Sequence, residues 1–334
     1  MVGGFAATQL LVTAARLSIA DRVAAGNESI ASLAPQIGAE SDSLLRFLRM
    51  LAVLGVLKQI GAEHFTLTPM GRLLCADHPE SMRARVLFVG AINYPTAQAS
   101  IHSVMTGGKA FDHVFGMPLF DYLDGQPDLR AIFGGLMSDS VETRAEGICS
   151  VYDFSDASLI VDVGGSEGTL LKAILMAAPL ARGIVFDRPS VASAERHQSG
   201  SDAMAGVSFL GGDMFDAIAP VGADIYILSN IIHDWDDAAS RLILRNCHAA
   251  MRQDSRLLII EEILPTRVEQ APATVANDYS MLLLTGGRQR TRQEFVSLLK
   301  TSGLRMSAVR PIKLKVRRVE RRENWALIEC RPNR

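Results

Sequence analysis

LIVDVGGSEG, residues Leu159 to Gly168, decides the fold. A short β-branched run ends in an acid, crosses a glycine-rich turn and enters a helix-like segment, TLLKAILMAA. A second apolar run, GIVF, then ends in Asp187. In a nucleotide-binding βαβ unit, glycines let the backbone approach the ligand, and an acid about 20 residues on holds ribose hydroxyls. The turn alone also fits a tight strand–helix connection, but Asp187 favours the nucleoside site.

A dinucleotide site needs G-x-G-x-x-G, with a pyrophosphate on the helix N-terminus. Here the run is Gly164-Gly165-Ser166-Glu167-Gly168, and Glu167 would repel a pyrophosphate. A nucleoside without phosphates, such as S-adenosylmethionine (SAM), tolerates that carboxylate.

The 334 residues suffice for two domains. Lys and Arg number 34 against 36 Asp and Glu, a net charge of −2, so no global field favours nucleic acid or membranes. Cys75, Cys149, Cys247 and Cys330 are scattered without metal spacing and read as reduced thiols of a cytoplasmic protein. No metal is expected. The N-terminal segment is apolar but carries Arg16, and reads as an amphipathic helix and not a signal peptide. No run reaches the roughly 18 apolar residues of a membrane span.

Residues 1–85 read as helices followed by a strand pair. Leu44, Leu45, Leu48, Leu51 and Leu54 share adjoining faces of one helix, and VLKQIGAEHFTLTP alternates around a Gly-Ala-Glu turn as a small wing. A winged helix also occurs in DNA-binding regulators, but LLRFLRML has no basic stripe, so pairing with a second copy is the expectation. Residues 86–150 read as a helical connector rich in aromatics and methionines, suited to core and to a pocket for a flat ligand.

Residues 151–334 alternate strand and helix: LIVDV, GIVFD, VSFLGGD, ADIYILSN and RLLIIEEIL. The fold class is α/β, a mostly parallel sheet with helices on both faces. It ends in an antiparallel hairpin, with Ile312–Val316 pairing Trp325–Cys330, and the basic run between them reads as a solvated turn. Ligands of such sheets bind at the carboxyl ends of the strands.

On these motifs the chain resembles the SAM-dependent O-methyltransferases of the plant caffeate and bacterial polyketide-tailoring type. The resemblance covers nearly the whole length. It runs through LSIADRVAAG, LLRFLRMLAVLGVL and FTLTPMGRLL, then FGMPLFDYLDGQPDLRAIFGGLM, VDVGGSEGTLL, FDRP, GDMF, LSNIIHDWDD, EEILP and MLLLTGGRQRT. It implies a winged-helix dimerisation domain, a Rossmann-like catalytic domain, SAM as cofactor with S-adenosylhomocysteine as product, and a homodimer. It places Gly164 and Gly165 against the cofactor, Asp187 on the ribose, Asp213 and Met214 at the adenine, and Ser229 as a further contact. Arg130 matches the arginine that pairs with the methionyl carboxylate, a fit for bidentate recognition; an ion pair with Asp128 or Asp124 is the other reading. Phe133, Met137, Met281 and Thr285 match pocket positions for a flat aromatic acceptor.

His233 matches the family's general base, and Glu261 the acid that orients it, with Glu262 as competitor on the opposite face. A phenol near pKa 10 and a histidine near 6.5 leave full proton transfer roughly 5 kcal/mol uphill. A base within hydrogen-bond reach removes the proton as the new bond forms. Asp234 or Asp236 also suits the cap of the following helix. The chain departs from the family at Gln289, where many relatives carry a second acid, and at Ser166, Ser140 and Leu284. A relative drifted to hydroxylation or a pericyclic step, or a ligand-sensing regulator, are the alternatives.

Overall fold

A computed structural model describes residues 3–138, 141–198, 206–313 and 324–333, leaving aside the side chains of 137–138, 142–143 and 194–198. The chain forms two compact units: Met1–Gln98 with Gln126–Leu136, and Ala99–Gly125 with Met137–Arg334.

In the first unit, helices Gly4–Arg16, Ile19–Ala24, Ile30–Ile37 and Ser41–Val53 precede an antiparallel hairpin of β1 (Leu57–Gly61) and β2 (His64–Leu67). Ser29 starts the third helix by accepting the Ser32 amide at 3.2 Å, and Gly38 ends it at φ +64°. Leu44, Leu48 and Leu51 recur at helical spacing and are all buried with Leu33 and Phe65. This leucine face closes the unit's own core. Phe5, Val53 and Ile60 remain more than half exposed.

The second unit is built on a seven-stranded sheet: β3 (Leu159–Val163), β4 (Arg182–Asp187), β5 (Val207–Gly211), β6 (Ile225–Ser229), β7 (Arg256–Glu262), β8 (Leu304–Pro311) and β9 (Trp325–Pro332). Its order is β5-β4-β3-β6-β7-β9-β8. The first five strands run parallel, and β9 is antiparallel to both neighbours. Alternation along each strand feeds two cores. Ile160, Val185, Ile225 and Ile227 pack with Leu171 and Ile174 of helix Thr169–Ala177 on one face. Val161, Val163, Tyr226 and Leu228 pack with Ile243 and Leu244 of helix Asp237–Ala250 on the other.

One expectation is corrected. The strand that pairs with β9 is Leu304–Pro311, not Ile312–Val316. A bulge between Met306 and Ala308 breaks the two-residue period, which hides this strand from a reading by alternation. Among the described residues, the last bond of this pairing runs from the Ile312 amide to the Trp325 carbonyl at 2.9 Å. Residues 314–323, including Val316 and the basic run, lie outside the described residues.

Leu171 is fully buried between its helix and β4, and Gly183 has no room for a Cβ beneath it, with Leu171 Cδ2 and Leu175 Cδ1 each 2.8 Å away. Leu171→Ala is expected to cost about 2–5 kcal/mol in urea unfolding, through lost transfer energy and an unfilled cavity.

Candidate active site

Parallel strands end on one edge of a sheet with polar groups of the following loops gathered there. At the end of β3, Gly164 sits at φ +74° and donates its amide to the Phe186 carbonyl at 2.8 Å. A Cβ there would lie 2.4 Å from Ile231 Cδ1, and one on Gly165 would lie 2.6 Å from Asp162 Oδ2. The turn is thus a backbone cradle in which side chains do not fit. Ser166 follows at φ +50°, a left-handed conformation that favours glycine. It is held by its amide, which donates to Asp187 Oδ2 at 2.8 Å, while Asp187 Oδ1 accepts the Arg188 amide at 2.7 Å. Asp187 therefore joins the turn after β3 to the end of β4.

At the end of β5, the Gly212 amide donates to the Asp187 carbonyl at 2.9 Å, and Asp213 Oδ1 accepts the Phe215 amide at 2.8 Å. Half-buried Met214 is fixed through its carbonyl by Asn246 Nδ2 at 2.8 Å. Phe215 meets Trp235 edge-on with ring centroids 4.7 Å apart, and Phe120 of helix Leu119–Asp124 lies 6.4 Å from the same ring. Arg188 pairs with Asp124 at 2.8 Å.

The ends of β3 and β6 hold buried polar groups. Asp162 is 1% exposed, and its Oδ2 makes no hydrogen bond among the described residues; nor does Asn230 Oδ1. Burial, with Asp187 nearby, raises the Asp162 carboxyl to about 7, against the lowering pull of Arg144. The buried Arg144 reaches Ser229 Oγ at 3.5 Å and stacks over Trp325 at 4.6 Å.

His233 lies in a single 3₁₀ turn, Ile232–Asp234, between β6 and helix Asp237–Ala250. Asp236 caps that helix by accepting the Ala239 amide at 2.8 Å. The fully buried Glu261 points at His233 from β7: Oε2 lies 2.5 Å from Nδ1, and Oε1 accepts the His233 amide at 3.2 Å. Glu262 faces elsewhere and takes Asn277 Nδ2 at 2.9 Å. Burial, the largest effect on the imidazole, lowers its pKa, but Glu261 and then Asp234 outweigh it and raise it to about 9. Nε2 makes no hydrogen bond among the described residues; Asp234 Oδ1 is its nearest acid, at 3.7 Å, and burial raises that carboxyl to about 6. Gln289 is buried and donates its amide to Asp278 Oδ1 at 2.7 Å.

Met281 and Thr285 meet at the end of helix Pro272–Leu284, where Thr285 Oγ1 donates to the Met281 carbonyl at 3.2 Å. Arg130 and Phe133 stand on helix Pro127–Ser138 in the first unit, where the Phe133 ring lies 5.5 Å from that of Phe88. Met137 belongs to the same helix, its side chain outside the description, as is Ser140. The structure thus brings together Gly164, Gly165, Asp187 and Asp213, and separately His233 and Glu261, on one edge of the sheet. The sequence reading missed Arg144, in a helix without a strand-end signal, and Arg290, which is 1% exposed. The run TGGRQRT enters the sequence reading only through the family resemblance, and only a donor count against the turn at His233 identifies Arg290 as interior.

The O-methyltransferase domain model matches residues 99–305, and the O-methyltransferase dimerisation domain model matches residues 1–77. The chain is 38% identical to the phenazine O-methyltransferase PhzM of Lysobacter antibioticus over 315 residues, 93% of this chain and 91% of the relative. It is 37% identical to the O-demethylpuromycin-O-methyltransferase of Streptomyces alboniger over 318 residues, 93% and 84% of the two chains. Its structure is similar to that of NcsB1, an O-methyltransferase from neocarzinostatin biosynthesis in complex with SAM and 2-hydroxy-5-methyl naphthoic acid. That match has a TM-score of 0.86 at 32% identity and covers 98% of this chain and 96% of the other. With the sheet order, the glycine cradle and both family models in agreement, the chain belongs to the SAM-dependent O-methyltransferases.

Proposed function

We propose that this enzyme methylates a phenolic or enolic hydroxyl of an aromatic natural product, with His233 as general base and Glu261 as its orienting acid. One observation carries this reading: Glu261 engages His233 Nδ1 at 2.5 Å and leaves Nε2 without a hydrogen bond among the described residues. The pair stands on the strand edge that also carries the glycine cradle. Names of relatives point to the acceptor class, since they include a phenazine O-methyltransferase and an enzyme bound to a naphthoic acid.

The chain's residues fit SAM. Gly164 and Gly165 leave no room for side chains of their own and keep the backbone of the turn bare for a ligand, and Asp187, a carboxylate at the end of β4, suits ribose hydroxyls. Asp213 and Met214 would frame the adenine, Ser229 would be a further contact, and the orphan oxygens of Asp162 and Asn230 would suit a ligand ammonium. Arg130, for the methionyl carboxylate, and Phe133 and Met137, for the acceptor, keep the roles that the family resemblance gives them. Met281 and Thr285 likewise keep the acceptor role that the resemblance gives them. The bound cofactor supplies an electrophilic methyl group and leaves as S-adenosylhomocysteine. Glu261 fixes the Nδ1–H tautomer, so Nε2 presents a lone pair to the acceptor hydroxyl and takes its proton as the ether bond forms. Glu261 then stabilises the imidazolium. A base raised to about 9 narrows the gap to a phenol from about 5 to about 1–2 kcal/mol.

Residues 1–85 serve dimerisation in this reading, 86–150 act as a connector to the acceptor pocket, and 151–334 carry the cofactor. The match to a dimerisation domain supports a homodimer. No helix among the described residues is long and apolar enough to cross a membrane, and the four free cysteines suit a reducing, cytoplasmic setting.

With methyl-labelled SAM and a panel of phenols, hydroxyquinones and hydroxynaphthoates, label is expected in an ether product. His233→Ala should lower kcat about 10²–10⁴-fold with SAM affinity nearly unchanged; equal label from both proteins retires the base. The imidazole must be neutral to accept a proton. Activity should therefore climb with pH through an acid limb well above 6.5, near 9, and acceptors of different acidity should share that limb. Asp187→Ala should weaken SAM binding at least tenfold by calorimetry, since it removes the ribose acceptor and unties Ser166. Light scattering at micromolar concentration should give twice the monomer mass.

A further inference from the structure

The turn that carries His233 does not support itself. Its own hydrogen bonds are long, 3.2 Å from the Asp234 amide to the Ile231 carbonyl and 3.4 Å from the Trp235 amide to the Ile232 carbonyl. A one-turn 3₁₀ helix has poor bond geometry and no cooperative length. Yet its base must stay within 2.5 Å of a carboxylate on another strand. Something outside the turn has to hold it.

Ser240 Oγ offers only long bonds to the Ile232 and Trp235 carbonyls, 3.4 and 3.3 Å, and the short ones come from residues 287–290. Arg290 is almost wholly buried, and its guanidinium brackets the turn: Nη1 donates to the Ile232 carbonyl and Nη2 to the Trp235 carbonyl, each at 2.8 Å. Nη2 also reaches Ser240 Oγ at 3.1 Å, and Asp237 Oδ1 neutralises the charge at 2.9 Å from Nη2 and 3.0 Å from Nε. The Arg288 amide donates to the carbonyl of His233 itself at 2.8 Å. Gly287 makes that approach possible, because a Cβ there would lie 2.0 Å from the His233 carbonyl oxygen. The same segment is tied to the strand that carries Glu261. The Leu264 amide donates to the Arg290 carbonyl at 2.9 Å, and Ile263 bridges to Arg290 in parallel. One short segment therefore grips both the base's turn and the extension of β7, two to three residues past the orienting acid.

We propose that Arg290, with the backbone of Gly287 and Arg288, is the positioning device that sets His233 against Glu261. It touches no reacting atom. Its role is to satisfy the carbonyls on both sides of the base and to fix them relative to β7. This inference rests on His233 acting as base. Only a planar fork can donate to Ile232, Trp235 and Asp237 at once; a lysine ammonium is a single point of charge that cannot span them.

The test compares Arg290→Lys, Gly287→Ala and His233→Ala with the parent, first for folding by thermal melt and for S-adenosylhomocysteine binding by calorimetry. Arg290→Lys is expected to bind the product within about twofold of the parent while kcat falls about 10–100-fold, as misplacement by about 1 Å does. Its KM for SAM should stay close to parental. Its acid limb should move down towards 6.5, because an imidazole less firmly held by Glu261, with Asp234 and Glu262 the other acids acting on it, is a weaker base. A role in stability alone would lower the melting temperature and leave the limb of the folded enzyme in place. A folded Arg290→Lys with parental kcat and limb overturns the inference. If Arg290→Lys does not fold, Gly287→Ala decides: a kcat loss of tenfold or more with a lowered limb supports the inference, and parental behaviour overturns it. His233→Ala keeps the two ideas apart. Its full activity would sink the base itself, whereas an inactive His233→Ala beside a fully active Arg290→Lys sinks only the positioning role.

Discussion

A carboxylate with no exposed surface is costly, and Glu261 has none. Moving such a group out of water costs several kcal/mol unless hydrogen bonds and an opposite charge compensate it. Here the compensation is His233, through both its ring and its amide, and the arrangement on this edge of the sheet follows from that requirement. The histidine has to leave β6 in a tight turn, the turn has to bring its carbonyls to donors, and the donors come from a buried arginine fixed to the neighbouring strand. The same contact sets the reactivity of the imidazole, since the charge that makes it a stronger base also keeps it protonated at neutral pH.

Much of this was legible in the sequence, for physical reasons that differ by element. Apolar runs ending in Asp162, Asp187, Ser229 and Glu261 announce parallel strands, because such strands are buried on both faces and turn polar only where they meet the ligand edge. Gly164 announces a backbone that must turn left-handed and pass close to Ile231. The leucines of Ser41–Val53 announce a buried face through their spacing. The β8 strand was not legible, because its bulge at Ser307 breaks the alternation on which strands are recognised. Nor was Arg290: a guanidinium is ordinarily a surface group, and its burial follows only from carbonyls about 50 residues away in the chain.

The cofactor edge shows a similar economy. Asp187 holds the turn after β3 through the Ser166 amide, so a residue matched to ribose recognition also organises the cradle. Ser166 adopts a conformation that glycine accepts more readily, and that hydrogen bond helps to hold it there. The acid matched to the ribose is therefore also the group that holds the strained Ser166.

The order of strands has a consequence for how the polypeptide is made. Among the described residues β9, though later in the sequence than β8, is not at the margin of the sheet; it lies between β7 and β8, giving β7 its second partner and β8 its one partner. Until residues 325–332 have left the ribosome, β7 presents an open row of amides and carbonyls on that side. A nascent chain in this state is an exposed template for pairing with other chains. Some 70 residues separate the end of β7 from the end of β9, so this side of the sheet is covered only once the β8–β9 hairpin is in place.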